Sequence, residues 1–102
     1  MGELKQILVD ELKKYAGQGA NAIAFPIFDD ERQHYAIAVV EHPKREEPAD
    51  ILIIARIADG KIVIEEDMTD KKLIDALLQR GISRENIILA YEGEVVPTIL
   101  TV

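Results

Sequence analysis

The chain has 102 residues and a formal net charge of −7, which fits one acidic domain, spanning residues 1–102, near the common domain size. It contains no Cys and no Trp and only 5% aromatic residues. That composition excludes disulfides, thiolate metal sites and a cysteine nucleophile, and it leaves no evident aromatic platform for stacking bases. The negative charge disfavours direct nucleic-acid binding, because phosphate repels it, and favours approach to a basic partner.

Glu3 to Tyr15 reads as a helix, since Leu4, Ile7, Leu8, Leu12 and Tyr15 recur at helical spacing along one stripe. Glu3 at its start and Lys13 and Lys14 at its end complement the helix dipole, and Gly17 and Gly19 stop it. Asn21 to Phe28 reads as a strand carrying Pro26, which cannot donate to a ladder, so this strand belongs at an edge or a bulge. After the polar turn Asp29-Asp30-Glu31-Arg32, the returning strand runs from Gln33 to Glu41. His42 to Ala49, with two prolines bracketing a block of charges, reads as an exposed loop.

Asp50 to Ile57 is the next strand, and its continuous apolar start, Ile51 to Ala55, predicts burial on both faces. Asp59-Gly60 is a type I′ hairpin signal, and Lys61 to Glu66 returns from it to complete a central pair. Asp67 and Thr69 compete as N-caps for a helix from Asp70 to Arg80, with Leu73, Ile74, Leu77 and Leu78 on its buried side. Gly81 followed by Ile82 predicts a Schellman stop. Ser83 to Asn86 makes one helical turn, Ile87 to Tyr91 a buried strand, and Val95 to Val102 a last strand with Pro97 at an edge. No apolar run reaches the roughly 18 residues of a membrane span. No export signal is evident, and Gln6 stands where a myristoylation signal needs Ser or Thr, so the expectation is a cytoplasmic protein.

Side chains capable of chemistry are few. His34 follows Asp29, Asp30 and Glu31, but their spacing fits a solvated turn rather than a calcium loop; His42 closes a strand before Pro43. Glu65, Glu66 and Asp67 could form a metal or acid/base cluster, or simply cap the following helix. Pro48-Ala49-Asp50 with Asp59-Gly60-Lys61 superficially matches a metal-dependent nuclease pattern, although the second part falls on a hairpin turn. No phosphate-binding glycine loop, nucleophile elbow or zinc-protease motif is present. The basic residues form no stripe: Glu46 and Glu47 offset Lys44 and Arg45.

The ordered set Asp29-x-x-Arg32-x-His34-Tyr35, Ile57-x-Asp59-Gly60-Lys61-Ile62-x-Ile64, Asp67-x-Thr69 and Gly81-Ile82-Ser83-x-Glu85-x-Ile87-Ile88-Leu89 resembles the XisI family, the fdxN element excision controlling factors. The resemblance runs from the first helix to about Tyr91. The chain departs from the family pattern at Val40-Glu41 in place of Gly-Trp, at Val63 in place of Trp, at Met68 and Asp70 within the D-G-T-E run, and at Ala90-Tyr91 in place of Gly-Phe. The resemblance implies a small cyanobacterial α+β protein linked to programmed excision of DNA elements. It implies action alongside a nuclease-like XisH partner, with no catalytic residues and no cofactor or metal to carry across. Asp29, Arg32, Tyr35, Lys61, Asp67 and Thr69 match the motif positions and are the candidate partner-binding residues.

The expected architecture is therefore α+β in the order α-β-β-β-β-α-β-β, a mostly antiparallel mixed sheet with the second helix packed on it. The expected role is a non-enzymatic accessory protein that binds a partner by its sheet or an exposed edge. Self-association is a further expectation, from the aliphatics of Ala22 to Ile27 and Val95 to Val102. Two alternatives stand beside it. One is a small metal-dependent hydrolase or nuclease built on the Asp29 and Asp67 regions. The other is a small-molecule sensor, which requires a pocket between the second helix and the sheet.

Overall fold

The computed structural model describes residues 2–96. These form α1 (Gly2–Lys13), β1 (Gly17–Gln18), β2 (Ala22–Asp29), β3 (His34–Glu41), β4 (Asp50–Ala58), β5 (Lys61–Asp67), α2 (Leu73–Gln79) and β6 (Ile87–Leu89), with 3-10 turns at Arg84–Asn86 and Ala90–Glu92. The strands make one sheet in sequence order, β1 to β6, antiparallel throughout except for the parallel pair β5 and β6. A parallel pair needs a long crossover, which α2 supplies.

Both helices pack on one face. Leu8 and Leu12 of α1 and Leu73 and Leu77 of α2 are fully buried against Tyr35, Ile37, Ile53, Ala55, Ile62 and Ile64 of the sheet. The α1 stripe thus docks as its spacing predicts. Its last turn tightens beyond Lys13, where Tyr15 N–H donates to the Leu12 carbonyl and Ala16 N–H to that of Lys13.

Several local expectations take shape in backbone geometry. Asp59 and Gly60 both have positive φ, 53° and 72°, as a type I′ turn requires. At the end of α2, Ile82 N–H donates to the Leu77 carbonyl and Gly81 N–H to that of Leu78, the two bonds of a Schellman motif. Ile82 folds back into the core beside Leu77.

Pro26 does lie at the sheet edge, while other expectations change, among them Leu78, placed on the buried side of α2 and 39% exposed. β1, two residues long, is too short to leave a periodic signal. It pairs only with Ile23 and Ala24, so at Pro26 strand β2 is the sheet edge. The Ala22 carbonyl accepts from Gly19 N–H on the β1 side, and alternation turns Pro26 the same way. Its missing N–H therefore costs no ladder bond.

The apolar run of β4 is not covered on both faces: Ile53 and Ala55 are buried whereas Ile54 is exposed. A bulge sets Leu52 between Ile51 and Ile53, bringing extra apolar residues onto one strand. Helix α2 begins at Leu73 rather than Asp70, for a reason that lies in Asp67. Strand β6 ends at Leu89, where the chain turns into Ala90–Glu92. Of the last predicted strand, residues 97–102 lie outside the described residues, and Val95 and Val96 before them are not in a strand.

Candidate functional site

The six motif residues divide between the two ends of the sheet. Antiparallel alternation puts the β2–β3 turn and the β4–β5 turn at one end, where the Gln33 carbonyl accepts from Ile57 N–H. Asp29, Arg32, Tyr35 and Lys61 belong to this end. Asp67 ends β5 at the other, with Thr69 just beyond it, about 20 Å away for six residues of strand.

At the first end, Asp29 closes the turn. Its carboxylate accepts from Arg32 N–H at 3.2 Å and from the Arg32 guanidinium at 2.9 Å. These bonds from Arg32 hold the Asp29 carboxyl below its ordinary pKa. The Arg32 side chain remains 65% exposed and projects from the turn.

Tyr35 points the other way. It is 1% exposed, stacks edge-on against Phe28 with centroids 5.4 Å apart, and its hydroxyl donates to Asp30 at 3.2 Å. Burial, then the bond to Asp30, pushes its pKa up to about 12. Tyr35 shapes the turn from inside, whereas Arg32 presents it. Lys61 leads out of the Asp59-Gly60 turn and reaches the Glu85 carbonyl at 3.4 Å. Lys5 of α1 meets Asp30 at 3.5 Å, so both charge signs crowd this end.

At the second end, Asp67 organises the approach to α2. One carboxylate oxygen accepts from Thr69 N–H at 2.9 Å and from the Thr69 hydroxyl at 2.6 Å; the other accepts from Leu73 N–H at 2.7 Å. A six-residue reach thus caps the helix from afar. The residue at the N-cap position, Lys72, makes no side-chain cap and instead donates to the Asp67 carbonyl. Thr69 is a link in this loop, not a helix cap. Tyr15 ties the same loop to α1 by donating to the Lys71 carbonyl.

The acidic run does not act as a cluster. A bulge at Glu65 fans its three carboxylates apart. Glu65 meets Arg56 at 2.8 Å, Glu66 accepts from Asp67 N–H, and Asp67 turns toward α2. Among the described residues no group of three or more His, Cys, Asp and Glu could hold a metal ion. The nuclease-like pattern is also pulled apart: Asp50 begins β4 and Asp59 follows its end, about 30 Å along an extended strand. A cleft of about 410 Å³ lies between the end of α1 and the start of α2, lined by Glu11, Lys14, Tyr15, Lys71, Asp75 and Gln79. It sits between the helices rather than between α2 and the sheet. Among the described residues no helix is long and apolar enough to cross a membrane.

Sequence reasoning missed how the outer edge of β6 is finished. Ile87 N–H donates to the Arg84 carbonyl, and the Ile87 carbonyl accepts from the Arg84 guanidinium at 2.7 Å. Leu89 N–H donates to the Glu94 carboxylate at 2.9 Å, and its carbonyl accepts from Glu94 N–H. Arg84 and Glu94 are themselves ion-paired. The side chains and backbone of Arg84 and Glu94 therefore occupy the groups that another strand would need. Only the charge complementarity of Arg84 and Glu94 could have hinted at this from sequence.

The profile of the XisI protein family matches residues 2–99. Among solved structures, the chain is similar to a XisI-like protein from Anabaena variabilis, with 27% identity, coverage of 86% of this chain and 80% of that one, and a TM-score of 0.64. It is also similar to the fdxN element excision controlling factor XisI of Anabaena variabilis, with 26% identity, coverage of 88% and 83%, and a TM-score of 0.57. No curated protein matches it.

Proposed function

This chain belongs to the XisI family, and we propose that it is a control factor for the excision of DNA elements that works by binding a protein rather than by performing chemistry. The observation that carries this reading is the similarity, over 88% of the chain, to a structure named as an fdxN element excision controlling factor. The side-chain geometry supports it. Asp29, Asp67 and Thr69, the motif residues with chemical potential, use their polar atoms to hold a turn and a helix start. What they leave on the surface is a shaped, charged end of the sheet, where Arg32 projects at the same end as Lys61.

The partner is a XisH-like nuclease, and contact is made through the Arg32 and Lys61 end. A net charge of −7 turns this protein away from bare DNA, and at the contact itself Arg32 and Lys61 meet acidic groups of the partner. The test is light scattering after size exclusion, of this protein with the XisH-like protein from the same genome. A stable mixed complex, weakened at least tenfold by Arg32→Ala, is expected. Absence of a mixed complex, or one indifferent to Arg32→Ala and Lys61→Ala, would overturn the assignment of partner or of surface respectively.

A further inference from the structure

At the end of the sheet that carries Arg32 and Lys61, three elements leave a cleft of about 440 Å³ between them. The first turns of α1, the β4–β5 turn and the chain leaving α2 form its walls. Leu4, Ile7, Ile57 and Ile82 supply its apolar side chains. The Schellman stop sets Ile82 there: the backbone reverses at Gly81, with φ 92°, and Ile82, 8% exposed, turns back beside Leu77. Leu4, Ile7 and Ile57 pack against the core yet stay half-buried, so here the core reaches the surface. The walls belong to helices and hydrogen-bonded turns, which makes the cleft a preformed seat for an apolar side chain.

Charge says what carries that side chain. Glu3 lines the cleft, and Asp59 and Glu85 adjoin the lining residues Gly60 and Asn86. All three carboxylates are exposed, and among the described residues none is ion-paired. Most cations nearby are already answered. Arg80 also lines the cleft, but Glu11 at 2.7 Å and Asp10 at 3.7 Å meet it. Arg84 pairs with Glu94, Lys5 with Asp30 and Arg32 with Asp29. Lys61 reaches a carbonyl, that of Glu85, and so keeps its charge. The mouth therefore sets three unanswered carboxylates around one ammonium, and it attracts a segment whose flanks are mostly basic. A second copy, acidic at the same end, is repelled.

We propose that the partner protein anchors in this cleft, inserting a leucine- or phenylalanine-sized side chain from a segment whose neighbouring residues are Lys or Arg. This anchoring rests on the protein-binding role proposed above and adds what the partner must present. The inserted side chain supplies most of the affinity, as buried apolar anchors do. The basic flanks speed encounter and fix the segment's register against Glu3, Asp59 and Glu85. Arg32 and Lys61 then border the anchor instead of carrying the contact alone.

Titration calorimetry of the full chain with the XisH-like protein from the same genome, at low and high salt, tests this. Ser83 lines the cleft, is exposed and caps nothing with its hydroxyl, so Ser83→Trp fills the mouth without touching the core. It should weaken the complex at least tenfold and leave the urea midpoint unchanged. Leu4→Glu, which sets a carboxylate among the apolar side chains, should weaken it as much. Glu3→Lys should weaken it about threefold and lessen its salt sensitivity. A complex that loses affinity in Arg32→Ala but keeps it in both Ser83→Trp and Leu4→Glu overturns this inference and leaves the proposed function standing. A complex tightened by Glu3→Lys overturns the basic segment. No complex with the wild-type chain overturns the anchoring together with the role it rests on. A wild-type homodimer that Ser83→Trp dissociates gives the cleft to a second copy and overturns the partner's place in it.

Discussion

The Asp67 carboxylate is 3% exposed and accepts from Thr69 twice and from Leu73 once. Truncation to alanine leaves buried N–H groups unpaired, and each costs about 1–3 kcal/mol. We expect Asp67→Ala to lower stability by about 2–3 kcal/mol and to fray the start of α2, read from the urea midpoint and far-UV circular dichroism. Thr69→Ala, which removes no helix cap, should cost about 1 kcal/mol or less; an equal loss from both variants would contradict the division of roles. Glu11 provides a second residue-level test. Burial raises its pKa, but hydrogen bonds from Arg80 at 2.7 Å and Lys14 at 3.0 Å outweigh that and hold it below the usual value. A folded-state pKa below the unfolded one stabilises fully above the ordinary carboxylate range, and that contribution is lost as pH falls through the lowered value. Glu11→Gln should therefore be less stable than wild type near neutral pH and approach it at about pH 3. Urea midpoints at both pH values check this, and a gap that does not narrow in acid would refute it.

Element boundaries follow from how each backbone group finds a partner. At β6 the Glu94 side chain accepts from Leu89 N–H and pairs with Arg84. Glu94→Ala should destabilise the protein by about 1 kcal/mol, speed amide exchange at Leu89, and expose an edge able to accept a strand. Unchanged protection at Leu89 would show that the edge is closed by something else. Elements with local signals were legible in the sequence: the α1 stripe, the Asp59-Gly60 turn and the Gly81-Ile82 stop all depend on residues a few positions apart. The start of α2 was not, because Asp67 caps it across six residues while looking like a near neighbour of Thr69. β1 was not, because two residues carry no period. The exposure of Ile54 was hidden as well, since bulges at Leu52 and Glu65 break the alternation that separates a bare face from a covered one.

At the scale of the whole molecule, the candidate site was legible as a set of residues but not as a surface. Asp29, Arg32 and Tyr35 sit within one turn in sequence, yet only the fold shows Tyr35 inside and Arg32 outside. Only the fold separates Asp67 and Thr69 from the other four by the length of β5. The resulting molecule is acidic, with closed edges, one charged end and one sheet face that the helices leave uncovered. Those features suit contact with proteins, and the proposed function assigns DNA cleavage to another chain. The most direct measurement of that claim is cleavage of DNA carrying the ends of an excised element, with magnesium or manganese, by this protein alone, by the XisH-like protein alone and by both together. The expected result is no cleavage by this protein alone and a rate or site choice for the XisH-like protein that changes when this protein is added. Cleavage by this protein alone, or an unchanged reaction on its addition, would contradict it.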